Sequence, residues 1–151
     1  MKRNADLLTG IRHMAKLYEA LIRQSCETYR LTQIETDILA FLENNPGRDT
    51  ARDIVEFRLL QKGNVSQAVD SLIRKGYLAR QQDERDRRLV HLQLTDQAGQ
   101  VNRSISQVRS QFFEEIFQGF SEKERLQYLS MSQRLFDNAK IGLERKRQYG
   151  E

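Results

Sequence analysis

The sequence of 151 residues is poor in the residues that mark several protein classes. Its single cysteine, Cys26, excludes an intrachain disulfide and a cysteine-based metal cluster. One proline and eight glycines are too few for collagen-like, disordered or turn-rich β proteins. No run of about 18 apolar residues is present, so the sequence predicts no membrane span. The first residues also lack the apolar stretch of a signal peptide, and we therefore expect a cytoplasmic protein.

Positive charge is concentrated in the middle of the chain. Lys and Arg number 25 against 21 Asp and Glu, which gives a formal net charge of +4. Residues 46–92 alone contain ten basic and seven acidic residues, whereas the remainder is almost balanced. This distribution indicates an anionic partner for the middle third. Hydrophobic residues make up 38%, so we expect a small core in an elongated helical chain or a core shared between subunits.

The spacing of apolar residues predicts a mainly α chain with one small β-hairpin. Apolar residues recur every three or four positions from Leu7, which is typical of a long amphipathic helix. Residues 77–80 and 89–94 alternate like two strands around a polar loop. The basic run at 144–147 is expected to fray. Capping motifs predict further helix starts at Thr32, Thr50, Thr95–Asp96 and Ser121.

The middle third has the order of elements of a winged helix-turn-helix: two short helices, a turn, a third helix and a hairpin with a charged tip. If Val65 lies at the centre of the buried face of the third helix, the opposite face is small and polar. Such a face suits the DNA major groove, where Gln67 can pair with an adenine edge. The alternative is an ordinary solvated helix face. The candidate DNA-contacting residues of this region are Gln61, Lys62, Gly63, Asn64, Ser66, Gln67, Ser71 and Arg74.

The predicted hairpin loop is a dense run of both charges, from Asp83 to Arg88. Arginines at a hairpin tip can enter a narrow minor groove, where the negative potential is enhanced. The interleaved carboxylates can bond neighbouring arginines and fix the loop, so that only some of the arginines face DNA. The alternative is a solvated charge run.

The segment from Leu31 to Gly99 resembles the MarR family of bacterial transcription regulators. Its most specific feature is Asp83-x-Arg85-Asp86-x-Arg88, which is similar to the wing signature of that family. The other matching motifs are Leu31-Thr32-Gln33, the run from Val65 to Leu72, Lys75-Gly76-Tyr77-Leu78, and the run from Leu94 to Gly99. Helices before and after this segment match the dimerisation elements of the family in length and order.

The resemblance implies a single chain with a winged helix-turn-helix region at about 31–94 and dimerisation helices at about 4–28 and 95–148. It implies a homodimer that binds a pseudo-palindromic operator and regulates transcription, most often as a repressor that a small, often aromatic, effector releases. Carried over to this sequence, it places Lys62, Gly63, Asn64, Ser66 and Gln67 in the recognition helix. Gly63-Asn64 stands where many members carry Ser or Thr, which leaves the base preference open.

The resemblance also assigns roles within the wing. It places Arg85 and Arg87 at the tip, and we expect one of them to enter the minor groove. It places Asp83, Asp86 and Arg88 in a bracing network, in which Arg88 acts mainly with Asp86 and has a structural role.

The resemblance further predicts an effector crevice. The alternative is that its candidate residues are core, as aromatic residues at helical spacing usually are. These candidates are Tyr18, Ile22, Tyr29, Ile38, Phe41 and Phe112.

Three other functions are considered, each on the basis of a single feature of the sequence. Cys26 is a candidate redox switch, although a lone buried cysteine is more often inert. His13 and His91 are too few and too isolated for a zinc site, and no cofactor or catalytic arrangement is indicated, so we expect no enzyme. A winged-helix module that binds another protein instead of DNA is the remaining alternative.

Overall fold

The structure, a computed structural model, describes residues 2–150, with side chains from residue 6 onward. The chain divides into two compact units, the first ending at Phe112 and the second beginning at Phe113. The predicted fold class, mainly α with a small β-hairpin, is confirmed. The helices are α1 (Lys2–Tyr29), α2 (Gln33–Asn44), α3 (Ala51–Arg58), α4 (Lys62–Arg74), α5 (Ala98–Ile116) and α6 (Glu122–Tyr149). The strands are β1 (Leu78–Gln82) and β2 (Val90–Leu94).

The core of the first unit lies between α2, α3, α4 and the hairpin, and α1 and α5 add further buried side chains to it. Its side chains come from the apolar faces that the helical periodicity predicts, so each helix is held by burial of one stripe. Six of these side chains are completely buried: Ile38, Leu39, Ile54, Val65, Leu72 and Val101. Complete burial of one such side chain stabilises the folded protein by roughly 1.5–3 kcal/mol.

Three helices begin as their capping motifs predict. The side chains of Thr32, Thr50 and Ser121 each accept a hydrogen bond from a backbone N–H in the first turn. In each case an acidic side chain three residues later bonds back to the capping residue, which completes a capping box. The predictions for α2, α3 and α6 are therefore confirmed.

Two local predictions are wrong. Thr95 does not cap α5, because its hydroxyl donates instead to the carbonyl oxygen of Gly76 at 2.6 Å. Gly76 has a φ of +84°, and this left-handed residue turns the chain from α4 into β1 and leaves its carbonyl facing Thr95. The basic run at 144–147 does not fray, since α6 continues through it to Tyr149. Cations in the last turn of a helix interact favourably with its dipole.

The hairpin is antiparallel, and its register pairs Leu78 with Leu94 and Gln82 with Val90. A segment outside the hairpin also bonds to β2, because the N–H of Leu92 donates to the carbonyl oxygen of Asp49 at 2.7 Å. Asp49 precedes the first turn of α3. The hairpin is thereby tied to the start of the helix-turn-helix.

The second unit is built around Phe117. Its ring stacks on Phe113 and meets Phe120 and Tyr128 edge to face, and it is 5% exposed. Gly119, with a φ of +84°, makes the turn before α6. Large apolar side chains along α6 remain exposed, among them Leu126, Leu129, Leu135 and Phe136. No helix in the described part of the chain is both long enough and apolar enough to cross a membrane.

Candidate nucleic-acid interface

The outward face of α4 is polar and almost free of internal contacts. Val65, Ala68, Val69 and Leu72 are buried, which turns the other side of the helix to solvent. A single hydrogen bond joins two members of this face, from Asn64 Nδ2 to the side chain of Gln61 at 3.4 Å. The face is therefore available for a partner. Its exposed members are Gln61, Lys62, Gly63, Asn64, Ser66, Gln67 and Arg74, and the helical period alone predicts four of them, Gly63, Ser66, Gln67 and Arg74.

The N-terminus of α4 has the features of an anion site on a helix. Gln61 stands at the capping position and makes no side-chain bond to the first turn. The first backbone N–H groups of a helix have no partner within it, and the positive end of the helix dipole lies there. Lys62 adds a positive charge at the same end. A DNA phosphate is the kind of group that such an end attracts.

Ser71 is less exposed than the other residues predicted on this face. It is half-buried and its hydroxyl bonds to the carboxylate of Glu35, so it is engaged inside the protein. Lys75 Nζ lies 3.0 and 3.1 Å from the two oxygens of the same carboxylate. Burial alone would raise the pKa of Glu35, but the bonds from Ser71, Thr32 and Lys75 outweigh it and lower this pKa. Ser71 stabilises the packing of α4 on α2.

The wing loop is shaped by carboxylates that accept hydrogen bonds from backbone N–H groups. Asp83 Oδ2 accepts from Arg85 N at 2.9 Å and from Asp86 N at 2.8 Å. Asp86 Oδ1 accepts from Arg88 N at 3.0 Å. The loop is thus held without using the charge of any arginine. The bracing differs in its donors from the expectation that the carboxylates would bond the arginine side chains.

The guanidinium groups of the wing consequently remain free. Arg85, Arg87 and Arg88 are all exposed, and no carboxylate in the described part of the chain lies within ion-pair distance of them. Arg80 on β1 is different, since it pairs with Asp70 on α4 and fastens the hairpin to that helix. The wing therefore presents three unpaired cations at its tip.

His91 on β2 connects the wing to the start of α3, a role that the sequence did not indicate. Its Nδ1 lies 2.7 Å from Asp49 Oδ1 and its Nε2 lies 2.8 Å from Asp83 Oδ1. The bonds to Asp49 and Asp83 raise the pKa of His91 to about 9. The bond from His91 and the two backbone N–H groups lower the pKa of Asp83 to about 2. No local pattern reveals this contact, because Asp49 is 42 residues from His91 in the sequence.

The six residues predicted to line an effector crevice pack into the first unit. Ile22, Ile38 and Phe41 are buried in its core, and Tyr18 and Tyr29 pack against that core. The Tyr18 ring meets the Phe112 ring edge to face, with 5.7 Å between their centroids. Burial raises the pKa of the Tyr18 hydroxyl, against the opposite effect of its bond with Arg109.

A cavity of about 400 Å³ opens between α2 and α5. None of the six predicted residues lines it. Asn102 Nδ2 donates to Glu43 Oε2 at 2.9 Å, while the buried Oδ1 of Asn102 has no hydrogen-bond partner. The cavity therefore combines cationic side chains with an unpartnered buried acceptor. Its lining includes Ala40, Glu43, Asn102, Arg103, Ile105 and Arg109.

Cys26 does not have the surroundings of a reactive thiolate. It is half-buried beside the core, and burial raises its pKa. Asp37 and Glu35 raise it further, against a bond from Thr36 that lowers it. A thiolate is the nucleophilic form of cysteine, and these surroundings disfavour it.

Comparison with known sequences gives one family. Residues 31–89 match the family model described as MarR family. The chain is 35% identical over 71 residues to the HTH-type transcriptional regulator YkoM of Bacillus subtilis (strain 168), a match over 47% of this chain and 46% of YkoM. It is 30% identical over 99 residues to the HTH-type transcriptional regulator PecS of Dickeya dadantii (strain 3937), over 64% of this chain and 60% of PecS. The chain thus matches about half of the length of these curated relatives.

Comparison with solved structures shows the fold over more of the chain. A MarR transcriptional regulator from Methanosarcina mazei Go1 superposes with a TM-score of 0.79 at 21% identity, over 89% of this chain and 96% of that one. Bordetella bronchiseptica BpsR, whose DNA binding is regulated by 6-hydroxynicotinic acid, superposes with a TM-score of 0.68 at 21% identity, over 84% of this chain and 90% of that one. The winged-helix fold predicted from the order of the elements is confirmed.

Proposed function

Since residues 31–89 match the MarR family model and the chain has the fold of solved MarR structures, we propose that this protein is a sequence-specific, DNA-binding transcription regulator of that family. The observation that carries the proposal is the pairing of two free surfaces in one unit. In the described part of the chain the polar side of α4 has one internal ion pair, from half-buried Asp70 to Arg80, and the wing tip has three unpaired arginines. A major-groove helix and a minor-groove wing need these two surfaces.

The electrostatics of the wing favour DNA over a protein partner. The three arginines carry unpaired positive charge, while the neighbouring carboxylates are engaged by backbone N–H groups. Charge of this kind is attracted to the phosphate backbone and to narrow minor grooves.

A gel-shift assay on the DNA upstream of the protein's own gene tests the proposal. We expect binding that survives an excess of unrelated competitor DNA and weakens as salt rises, because phosphate contacts release counterions. If binding is lost to competitor, selection from random sequences identifies an operator elsewhere. If neither experiment yields a preferred sequence at any salt concentration, the proposal fails and the protein-binding alternative replaces it.

We propose in addition that the regulator acts as a homodimer on a two-fold operator. Leu7, Leu8 and Ile11 on α1 are each about half exposed, and α6 separately exposes an apolar series that includes Leu129 and Phe136. Contiguous exposed apolar surface commonly marks a protein interface. Sedimentation equilibrium of the full chain should give twice the mass of 17.8 kDa, and charged substitutions at Leu129 and Phe136 should give monomers. A monomer at concentrations that saturate the operator would contradict the dimer.

We also propose that the regulator is a repressor released by a small effector, and that this effector binds in the cavity between α2 and α5. The six residues of the predicted crevice are held by core contacts, whereas the cavity already offers about 400 Å³. Arg103, Arg109 and the free Oδ1 of Asn102 suit a small molecule with both an acidic group and a hydrogen-bond donor. The likeness to BpsR supports a small aromatic acid.

Displacement of operator DNA by 6-hydroxynicotinic acid and by a panel of small aromatic acids and phenols tests this assignment. We expect at least one compound to release DNA, and Arg103→Ala to weaken that release without weakening DNA binding itself. Release that is unchanged in Arg103→Ala, but lost on substitution of Tyr29, a predicted crevice residue that does not line the cavity, would return the site to the predicted crevice.

A further inference from the structure

Both ring nitrogens of His91 bond to carboxylates. Nδ1 lies 2.7 Å from Asp49 Oδ1, and Nε2 lies 2.8 Å from Asp83 Oδ1. An ionised carboxylate has acceptors only, and a neutral imidazole has a single N–H donor. Two such bonds therefore require the doubly protonated, cationic ring. In the described part of the chain, Asp49 and Asp83 are the charged groups that bond to this ring, and Gln81 faces it across the hairpin.

Each of the two carboxylates is fixed to a different part of the unit. Asp83 uses its other oxygen to hold the backbone N–H groups of Arg85 and Asp86. The backbone carbonyl of Asp49 accepts a hydrogen bond from Leu92 N at 2.7 Å, and Asp49 lies two residues before Ala51, the first residue of α3. A chain of charged hydrogen bonds thus runs from the start of α3 through one imidazole to the wing tip. A two-stranded hairpin is marginally stable on its own, so this chain of bonds helps to fix its position, together with the Leu92–Asp49 bond and the Arg80–Asp70 pair.

We propose that cationic His91 is the positioning residue of the wing, and that it sets where Arg85 and Arg87 stand relative to α4. This inference rests on the proposed DNA-binding function. Loss of the proton leaves the ring with one donor, so one of the two carboxylates loses its partner. Leu92 and Arg80 still tie the strands to Asp49 and Asp70, but the wing loop is held less firmly and a smaller fraction of molecules presents the arginines correctly. Apparent affinity falls in proportion to that fraction.

The pH range follows from the pKa of His91, which its carboxylate partners raise from 6.5 to about 9. A pKa raised by folding contributes stability that is complete below about pH 6.5 and lost as pH rises to about 9. In the folded protein the cationic ring itself persists to about pH 9. The pKa of Asp83 is lowered to about 2. The stability that the ionised Asp83 carboxylate contributes is therefore lost only in strong acid, as pH falls from about 4 through 2. The clamp is therefore intact at neutral pH and opens in mild alkali.

The first test observes the ring without DNA. The chain has two histidines, and His13 is an exposed residue of α1, so His13→Gln leaves His91 as the single imidazole signal in proton NMR. We expect that signal to titrate near pH 9, and to titrate lower when Asp49→Asn is added. A midpoint near 6.5 in His13→Gln would overturn the proposal. Because no DNA is present, this result is independent of whether the protein binds an operator.

The second test measures operator affinity against pH. His91→Gln has no cationic ring, and at pH 7 we expect affinity about tenfold below that of His13→Gln, because about one molecule in ten then holds the wing in place. We expect the affinity of His13→Gln to fall between pH 8 and 10, and that of His91→Gln to stay level. Equal affinity at pH 7 or parallel pH profiles would refute the positioning role.

Asp49→Asn is the control for a simple folding defect. An asparagine amide can donate to a neutral ring, so this variant no longer needs the cation. We expect it to bind at pH 7 and to retain binding at pH 9.5 better than His13→Gln does. A steeper loss than in His13→Gln would contradict the clamp. If no protein in the series binds any DNA, the proposed function fails, and the NMR titration still decides the state of the ring.

Discussion

The wing and α4 both present polar surface to solvent, but their shapes are maintained in opposite ways. The polar face of α4 is positioned from behind, because Val65 and Leu72 are completely buried. The wing tip has no buried side chain, and Asp83 and Asp86 shape it through bonds to backbone N–H groups. In α4 the residues that fold and the residues that bind lie on different faces. In the wing, the carboxylates that shape the loop alternate with the arginines that are expected to contact DNA. The net charge of the loop therefore understates the positive charge that it presents.

Removal of the cations at the wing tip tests the comparison most strongly. Arg85→Ala with Arg87→Ala should weaken operator binding by on the order of 100-fold, if each arginine contributes roughly 1–3 kcal/mol. The matched control is Arg145→Ala with Arg147→Ala, which removes the same charge at the same spacing from the exposed end of α6. Gel-shift titration of both variants separates position from total charge. Equal losses would mean that the wing acts only through net charge.

Removal of a carboxylate from the wing shows whether that carboxylate acts by shaping the loop or only by its charge, because the two roles predict opposite changes in operator affinity. Asp83→Ala makes the protein more positive, so attraction to phosphate alone predicts tighter binding. Asp83 also holds the N–H groups of Arg85 and Asp86, and we therefore expect affinity to fall about tenfold as the ordered fraction of wings falls. Glu84→Ala removes an exposed carboxylate that has no bond to the loop, and it should bind as well as the wild type or better. A gain in affinity for Asp83→Ala would eliminate the bracing role.

Substitutions on α4 should change specificity more than shape. Gln67→Ala should cost about fivefold at the preferred operator, near 1 kcal/mol for a lost base contact, and relax the preference at one base pair. The melting temperature should not change, because Gln67 is exposed and the buried face is untouched. Gln100→Ala, an exposed glutamine on α5, is the control. An unchanged base preference in Gln67→Ala, measured by operator selection, would remove Gln67 from the base-reading residues.

The parts of the fold that depend on neighbouring residues could be predicted from the sequence. Apolar spacing located the helices, and the capping boxes at Thr32, Thr50 and Ser121 located their starts. The exposed face of α4 followed from the position of Val65, since one buried stripe fixes the whole helix. These features depend on the 3.6-residue period and on bonds over three residues.

The features that the sequence did not reveal depend on contacts between distant residues. Thr95 has the residue type of a helix cap, but the free carbonyl of Gly76, 19 residues earlier, takes its hydroxyl. Ser71 faces outward by helical geometry alone, but the buried carboxylate of Glu35 draws its hydroxyl inward. His91 is unremarkable in the sequence until folding brings Asp49 and Asp83 to its two nitrogens. The side of α2 that borders a cavity likewise depends on how α5 packs.

Arg88 makes the smallest predicted difference and the finest test of how the wing is braced. Its bond to Asp86 uses the backbone N–H, at 3.0 Å, so truncation of the side chain leaves that bond in place. The guanidinium of Arg88 is exposed. Arg88→Ala should therefore retain the shape of the wing and bind the operator about threefold more weakly. The slope of affinity against salt concentration should fall by no more than the equivalent of about one phosphate contact. Gel-shift titration at two salt concentrations measures both quantities. A loss as large as that of Asp83→Ala would show that the guanidinium itself braces the loop when DNA is bound, and the distinction between residues that hold the wing and residues that contact DNA would no longer apply to Arg88.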